Sequence, residues 1–475
     1  MRYLIWLTVW LGMALTGRAE PSRPNVIIVL ADDLGWSDLG CYGSDFHETP
    51  SLDSFSQSAV RFTNAYAPAP VCTPTRASLM TGKSPARLGI TIWSEGSIQG
   101  PTDRKLLQAK SKHDLPLSEK TIAEYFHEHG YLTASIGKWH LGNTAHGPEA
   151  QGFEINIGGT HWGAPTTFFW PYKGVRTSGN EYRYVPDLPY GKAGEYLTDR
   201  LADESLKVID EAHRREQPFF LFLAHHAPHT PIEAKPEDIA YFQSRLSSKN
   251  KTHRNPIYAG MLKSLDQSVG RILERLETLN IEQETIVIFT SDNGGFIGQM
   301  KTEGNDVPIT SNAPLRSGKG TCYEGGLRVP LLVRWPKLSR PGIAAEPVIL
   351  TDLFATLLST ALDHGVESSE IISSDGVDLK PLLEAPDSKL PDRALYFHYP
   401  HYYHAPVSTP VSAIRKGEWK LLHYYEDDHD ELYHLTTDPS EQRDLISMER
   451  ETAAELRTQL DDWLSDMKAE MPRKH

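Results

Sequence analysis

Four continuous apolar runs, each ending in a polar cluster, constrain this chain more than any other feature. They are NVIIVLADD (25–33), TASIGKWHLG (133–142), PFFLFLAHHAPHTP (218–231) and ETIVIFTSDNGG (284–295). Apolar runs of this length without alternation fit strands covered on both faces. VPLLVRWP (329–336) reads as another buried strand. Helical patterns lie between the runs. SEKTIAEYFHEHG (118–130) has Ser118 as cap and Gly130 as stop; LTDRLADESLKVIDEAHRR (197–215) and YAGMLKSLDQSVGRILERLETLN (258–280) follow. Strands alternating with helices predict an α/β fold with a mixed, mostly parallel sheet flanked by helices. Ligands bind such sheets beyond the carboxyl ends of the strands. Any one polar cluster could be an ordinary surface turn. Four at the same edge predict one active site.

A chain of 475 residues has room for a large core and a second, smaller unit. The composition shifts after LKPLLEAPDSKLPDR (379–393). Short strand-like runs follow (ALYFHY, VSAIRKGEWKLLHYY, DELYHLTTDP), then a helix over 449–470 with Leu456, Leu460 and Leu464 on one face. The expected division is a catalytic region at 20–390 and a C-terminal subdomain at 391–475, with a small antiparallel sheet and a terminal helix. Residues 1–19 read as an export signal: a basic start, an apolar run from Tyr3 to Thr16, then Gly17-x-Ala19. The run is short for a membrane span, although an uncleaved anchor is the alternative. No later run reaches spanning length. The expected location is the periplasm or the cell exterior, or a secretory or lysosomal compartment in a eukaryote. The net charge of −14 speaks against a nucleic-acid partner. Cys41 and Cys322 are the expected disulfide pair in that setting, with three free thiols as the alternative.

The polar clusters carry a readable chemistry. Asp32, Asp33, Asp292 and Asn293 offer only oxygen donors, which suit Ca²⁺ or Mg²⁺ rather than Zn²⁺. Arg76, Lys138, Lys319, His140 and His229 are cationic or can become so. With a divalent metal they would form a pocket for a compact tetraoxo anion. Lys138 and Lys319 stand out from ordinary surface lysines because each sits in a glycine-bracketed loop, GKWHLG and RSGKGT. In CTPTRASLMTGK (72–83), Thr73 is the expected helix cap, Pro74 suits the first turn and Thr81-Gly82 the end. Residue 72 then lies at the positive end of a helix, where an anionic nucleophile is stabilised.

Cys72-Thr73-Pro74-Thr75-Arg76, followed by Leu79 and Thr81-Gly82, resembles the signature of the type I sulfatases, arylsulfatase-like members of the alkaline-phosphatase-like superfamily. Asp32-Asp33, GKWHLG, HAPHTP, SDNGG and GKGTCYEGG match in order and context; Lys83 stands where many members have Arg. The resemblance implies an alkaline-phosphatase-like fold and a sulfuric ester hydrolase. It implies that Cys72 is oxidised to Cα-formylglycine by a maturation enzyme. It implies one Ca²⁺ held by Asp32, Asp33, Asp292, Asn293 and residue 72. The hydrate at 72 would attack sulfur and form a covalent sulfo-enzyme, from which inorganic sulfate is released. Asp292 would help deprotonate the nucleophile, His229 with Lys319 would protonate the leaving alcohol, and His140 would deprotonate the second hydroxyl. Lys138 and Lys319 would hold sulfate oxygens, and Arg76 would orient the hydrate. A sulfated carbohydrate, such as a galactose or N-acetylgalactosamine sulfate, is the expected substrate. His161, in GGTHWGAPTTFFWPYKG (158–174), and His401, in YFHYPHYYHAPVS (396–408), are the expected substrate contacts beside aromatic rings. A phosphodiesterase or phosphonate hydrolase of the same superfamily is the alternative, and an exported glycan-binding protein without catalysis a further one.

Overall fold

A computed structural model describes residues 23–176, 181–302, 305–362, 373–404 and 407–475; the expected export signal lies outside the described residues. The apolar runs form strands. In chain order the central sheet comprises β1 (Asn25–Ala31), β2 (Val60–Tyr66), β3 (Leu132–Gly137), β4 (Ile155–Ile157), β5 (Phe219–Ala224), β6 (Thr285–Ser291), β7 (Arg328–Arg334), β8 (Gly342–Ala344) and β9 (Val348–Ile349). Their spatial order is β8-β2-β7-β6-β1-β5-β3-β4, with β9 also beside β2. β6, β1, β5, β3 and β4 are all parallel, and β7 runs antiparallel to β2 and β6.

The register decides where the polar clusters meet. Leu30 pairs with Ala224 and Thr290, Ala31 with Ser291, and Gly137 with Ala224. Four strands therefore end in one row, and the residues that follow them share an edge. The strand faces are buried on both sides, as continuous apolar runs require. Val26, Ile28 and Leu30 pack with Ala77, Leu79 and Met80 of α1 (Cys72–Thr81) and with Ile122 and Phe126 of α2 (Ile122–Glu128). Ile27, Val29 and Ala31 pack with Leu201 and Ile209 of α3 (Leu197–Arg214) and Leu262, Leu265 and Val269 of α4 (Pro256–Thr278).

A four-stranded antiparallel sheet follows: β10 (Ala394–Tyr399), β11 (Val411–Lys416), β12 (Trp419–Tyr424) and β13 (His429–His434). One face packs Ile414, Leu421 and Leu432 on Leu456, Leu460 and Leu464 of α5 (Arg450–Asp466). The other packs Phe397, Ala413 and Leu422 on Tyr66, Cys322 and Leu327. A buried ionic group joins the two sheets. Lys420 Nζ lies 2.9 Å from Glu324 Oε1 and 2.9 Å from Glu441 Oε1, and the Tyr66 hydroxyl donates to Glu324 Oε2 at 2.6 Å. Burial pushes the Glu441 carboxyl up to about 7 against the pull of Lys420. At Glu324, Lys420, Arg415 and Arg328 outweigh burial and hold the carboxyl down at about 2.

Two local expectations are corrected. Helix α2 starts at Ile122, not after Ser118. Thr121 accepts the Glu124 N–H at 3.2 Å while Glu124 Oε2 accepts the Thr121 N–H at 2.7 Å, a reciprocal cap that Ser118 cannot match. Cys41 and Cys322 are both free. Cys41 packs on the α3–α4 side of the central sheet, whereas Cys322 belongs to the cluster beneath the C-terminal sheet. Among the described residues no helix is long and apolar enough to cross a membrane.

Candidate active site

Helix α1 begins at Cys72, and Gly82 ends it in the left-handed region at φ 67°. Thr73 is not its cap: its hydroxyl donates instead to the His140 carbonyl at 3.1 Å. This bond ties the helix start to the loop after β3. It places Cys72 Sγ 3.4 Å from His140 Nδ1. Arg76, fully buried one turn along, reaches the same edge. Its Nε and Nη2 lie 2.9 and 2.8 Å from Asp292 Oδ2, and its Nη1 donates to the Lys138 carbonyl at 2.8 Å.

The acidic residues arrive from the ends of β1 and β6. Lys138 Nζ donates to Asp32 Oδ2 at 2.7 Å, and Lys319 Nζ lies 2.6 Å from Asp33 Oδ1. Asn293 Nδ2 also donates to Asp33 Oδ1 at 2.8 Å, and the Asp33 N–H donates to Asp292 Oδ1 at 3.2 Å. His229 Nε2 is 3.6 Å from Asp33 Oδ2, while its Nδ1 donates to the Thr230 carbonyl at 2.8 Å. Asp33 and His140 have positive φ, 65° and 60°, a conformation that non-glycine residues keep only where their surroundings enforce it.

Charge and burial act against each other throughout. Burial raises the Asp32 carboxyl despite Lys138. Burial and the charge of Asp32 raise Asp292 against Arg76. At Asp33, Lys319 and His229 outweigh burial and hold the carboxyl at about 2. Burial, reinforced by Lys319, lowers His229 to about 3, so its imidazole is neutral at physiological pH. Lys319 is held well above its usual range: burial lowers it, but Asp33, Tyr403, Cys72 and Asp32 together outweigh burial. Lys138, His140 and Lys319 together outweigh burial at Cys72 and keep its thiol well below the usual range.

The donor set fits a hard cation. Asp32 Oδ1 and Asn293 Oδ1 are buried acceptors with no hydrogen-bond partner. Ligand atoms of Asp32, Cys72 and Asp292 lie within 4.8 Å of one another, as do those of Asp32, Asp33 and His229. Three buried carboxylates with unused oxygen lone pairs favour a divalent, oxygen-seeking ion.

A cavity of about 750 Å³ opens above this cluster. Asp33, Cys72, His140, His229 and Lys319 form its inner end. Lys138, expected with Lys319 to hold sulfate oxygens, is instead fully buried behind them and engaged with Asp32. The two expected substrate contacts lie elsewhere. His161 is exposed, its ring 4.6 Å from that of Trp162, and does not line the cavity. His401 is fully buried, with Nε2 2.7 Å from Thr91 Oγ1. The cavity's outer wall is instead built from residues that the sequence did not single out: Trp93, Glu95, Arg183, Phe296 and Tyr403. The alternation of Glu181 and Arg183 with Tyr182 and Tyr184 was the one available signal of a strand presenting charge on one face.

The chain matches the Sulfatase family over residues 24–364 and the N-sulphoglucosamine sulphohydrolase C-terminal family over residues 318–470. It is 34% identical to arylsulfatase A of Homo sapiens over 425 residues, covering 86% of this chain and 76% of that protein. It is 32% identical to N-acetylgalactosamine-6-sulfatase of Rattus norvegicus over 426 residues, covering 87% and 74%. The crystal structure of Ps i-CgsB superposes with a TM-score of 0.75 at 30% identity, covering 93% of each chain. A crystal structure of Ps i-CgsB in complex with k-i-k-neocarrahexaose gives 0.74 at 31% identity, again with 93% of each chain covered. Family match, fold and the meeting of the six motifs at one sheet edge agree: the chain belongs to the sulfatase family and is an arylsulfatase-like enzyme that hydrolyses sulfate esters.

Proposed function

We propose that this sulfatase removes sulfate from a sulfated carbohydrate, with residue 72 as Cα-formylglycine, one Ca²⁺, and a covalent sulfate on residue 72 along the way. The observation that carries this reading is the position of Cys72: its sulfur, which stands where the nucleophilic oxygen would be, lies at the floor of the cavity between His140 and the acidic cluster. Support for a carbohydrate comes from the relatives. One acts, by its name, on N-acetylgalactosamine 6-sulfate, and another has been crystallised with a neocarrahexaose.

Asp32, Asp33, Asp292, Asn293 and residue 72 would hold the ion, which supplies Lewis-acid polarisation of the sulfuryl group and acidifies the nucleophile. Lys319, at the cavity wall, contacts the sulfate oxygens, and Lys138 holds Asp32 in place beneath them. Arg76 fixes Asp292 so that its carboxylate can take the nucleophile's proton. The S–O ester bond breaks, and the departing alkoxide takes a proton from His229 or Lys319. In the ligand-free protein that proton resides on Lys319; an arriving anionic ester offsets the lysine's charge and favours protonation of His229. His140 Nδ1 faces residue 72 and accepts the proton whose removal frees inorganic sulfate. We further propose export of the chain, oxidation of Cys72 by a maturation enzyme, and the division into residues 20–390 and 391–475.

The test is peptide mass spectrometry of residue 72 in protein co-expressed with a maturation enzyme, together with turnover of an aryl sulfate and an aryl phosphate diester. Conversion of the thiol to an aldehyde, with sulfate ester cleavage abolished in Cys72→Ala, supports the reading. A converted, Ca²⁺-loaded protein that cleaves only the phosphate diester sinks it.

A further inference from the structure

Where the inner end of the cavity meets its outer wall, two polar atoms face each other as an ion pair without a direct hydrogen bond, and the mechanism above uses neither atom. Arg183 Nε and Nη2 lie 2.7 and 2.6 Å from Glu181 Oε2, and Nη2 also lies 3.3 Å from Glu95 Oε1. Trp162 Nε1 donates to Glu181 Oε1 at 3.0 Å. These contacts engage both oxygens of Glu181 and one of Glu95. The other, Glu95 Oε2, is buried without a hydrogen-bond partner. Facing it at 3.9 Å is His140 Nε2, also buried and without one. The His140 side chain is only 5% exposed, and both residues line the cavity.

A separation of 3.9 Å is too long for a direct hydrogen bond. It suits a single hydroxyl oxygen at about 2.8 Å from each atom. The polarity also fits. A carboxylate only accepts and an imidazole N–H donates, so a hydroxyl can give its proton to Glu95 and receive one from His140. With the proton on Nε2, the lone pair of His140 falls on Nδ1, toward residue 72. The charge is equally specific. Two carboxylates face one guanidinium, and that guanidinium already binds both. Among the described side chains the guanidinium beside Glu95 is already bound to carboxylates, so a second sulfate placed here would meet the Glu95 carboxylate itself.

We propose that Glu95 Oε2 and His140 Nε2 form a hydroxyl subsite for the sugar that carries the scissile sulfate. It grips the ring hydroxyl nearest the ester and rejects a second sulfate at that position. The inference rests on the carbohydrate reading above.

The test uses the formylglycine-bearing protein with the 3-, 4- and 6-sulfates of methyl β-galactopyranoside. The isomer turned over best is compared with its analogue deoxygenated at the nearest ring hydroxyl and with its analogue sulfated there as well. The expected kcat/KM falls about 10- to 100-fold on loss of the hydroxyl, as for a hydrogen bond to a charged group. It falls further for the disulfate. Glu95→Gln, which keeps an acceptor but removes the charge, narrows the discrimination against the disulfate by about tenfold relative to wild type. Equal kcat/KM for the parent and deoxy sugars, or an unchanged disulfate ratio in Glu95→Gln, overturns the subsite while leaving the carbohydrate reading intact. Cleavage of an aryl sulfate with no turnover of any sugar sulfate overturns the carbohydrate reading, and the subsite with it.

Discussion

Lys138 Nζ donates to Asp32 Oδ2 at 2.7 Å, and neither side chain has any exposed surface. Removing the lysine leaves Asp32 buried beside Asp33 and Asp292, balanced by Arg76, 4.0 Å away, and by the more distant Lys319. Lys138→Met should cost about 3–5 kcal/mol in urea denaturation with EGTA present, the range for breaking a buried ion pair. With Ca²⁺ in excess the loss should shrink, because the cation takes over part of the lysine's role. Equal losses in both conditions would count against a cation beside Asp32.

Ca²⁺ itself should raise Tm. An ion that binds only the folded chain adds about 2.7 kcal/mol of stability at a hundred times its Kd. Asp292→Asn removes a carboxylate from the proposed ligand set. It should shrink the Ca²⁺-induced shift and lower sulfate ester turnover together. A wild-type Tm unmoved by either Ca²⁺ or Mg²⁺ would argue against an oxygen-ligand metal site here.

His229 is assigned to protonating the alcohol, so its importance should grow with leaving-group basicity. His229→Ala should lower kcat/KM on a sugar sulfate by about 10²–10⁴-fold, the usual worth of a positioned general acid. The loss on 4-nitrophenyl sulfate should be much smaller, since nitrophenolate departs without a proton. Lys319→Met measured on the same two substrates shows how the proton is shared. Equal losses for His229→Ala on both esters would reassign that residue to binding.

Gly163 presses on the His140 ring. A Cβ at this glycine would stand 2.3 Å from His140 Cε1 and 2.7 Å from Nε2. Gly163→Ala must therefore turn or displace the imidazole. Displacements near 1 Å can cost about 10²-fold, and that loss is expected in kcat, with little change in the urea midpoint. Full activity would show that His140 can move without penalty.

Stability should depend on pH through the ionic group between the sheets. Glu441 keeps its proton up to about pH 7 in the folded protein, against an ordinary value of 4.5. Between these values the folded state binds more protons than the unfolded state. Stability should therefore fall as pH rises from about 4.5 to about 7 and then level off. Glu324, held near 2, acts in the opposite sense: its contribution is present above 4.5 and is lost as pH falls toward 2. Urea midpoints from pH 4.5 to 8 should decline in the wild type and flatten in Glu441→Gln.

The site's inner end was legible because its residues follow strand ends, and a parallel sheet brings such ends into one row whatever their separation in the chain. Asp32 and Asp292 are distant in sequence, yet Ala31 pairs with Ser291. Local competition was harder to read. Ser118 and Thr121 both suit a cap, and only the reach of Glu124 back to residue 121 decides between them. Thr73 had a rival acceptor, the His140 carbonyl, that no local pattern reveals. His401 reads as a sugar ligand from the aromatic residues around it in the sequence, but it is fully buried, its ring against Tyr399 and its Nε2 on Thr91 Oγ1. Glu95 and Arg183 come from a short helical turn and a hairpin outside every motif, so their meeting is a tertiary fact alone.

Cys72 retains 3% of its surface, and Pro74 and Arg76 beside it are buried as well. Under the formylglycine reading, this burial sets a deadline. A maturation enzyme that must grasp the thiol and its neighbours can do so only while the segment is still extended. Once α1 docks on the sheet, an unmodified chain is a well-folded but inert protein with no way back except unfolding. The specific activity of any preparation then records the outcome of a race between oxidation and folding, molecule by molecule.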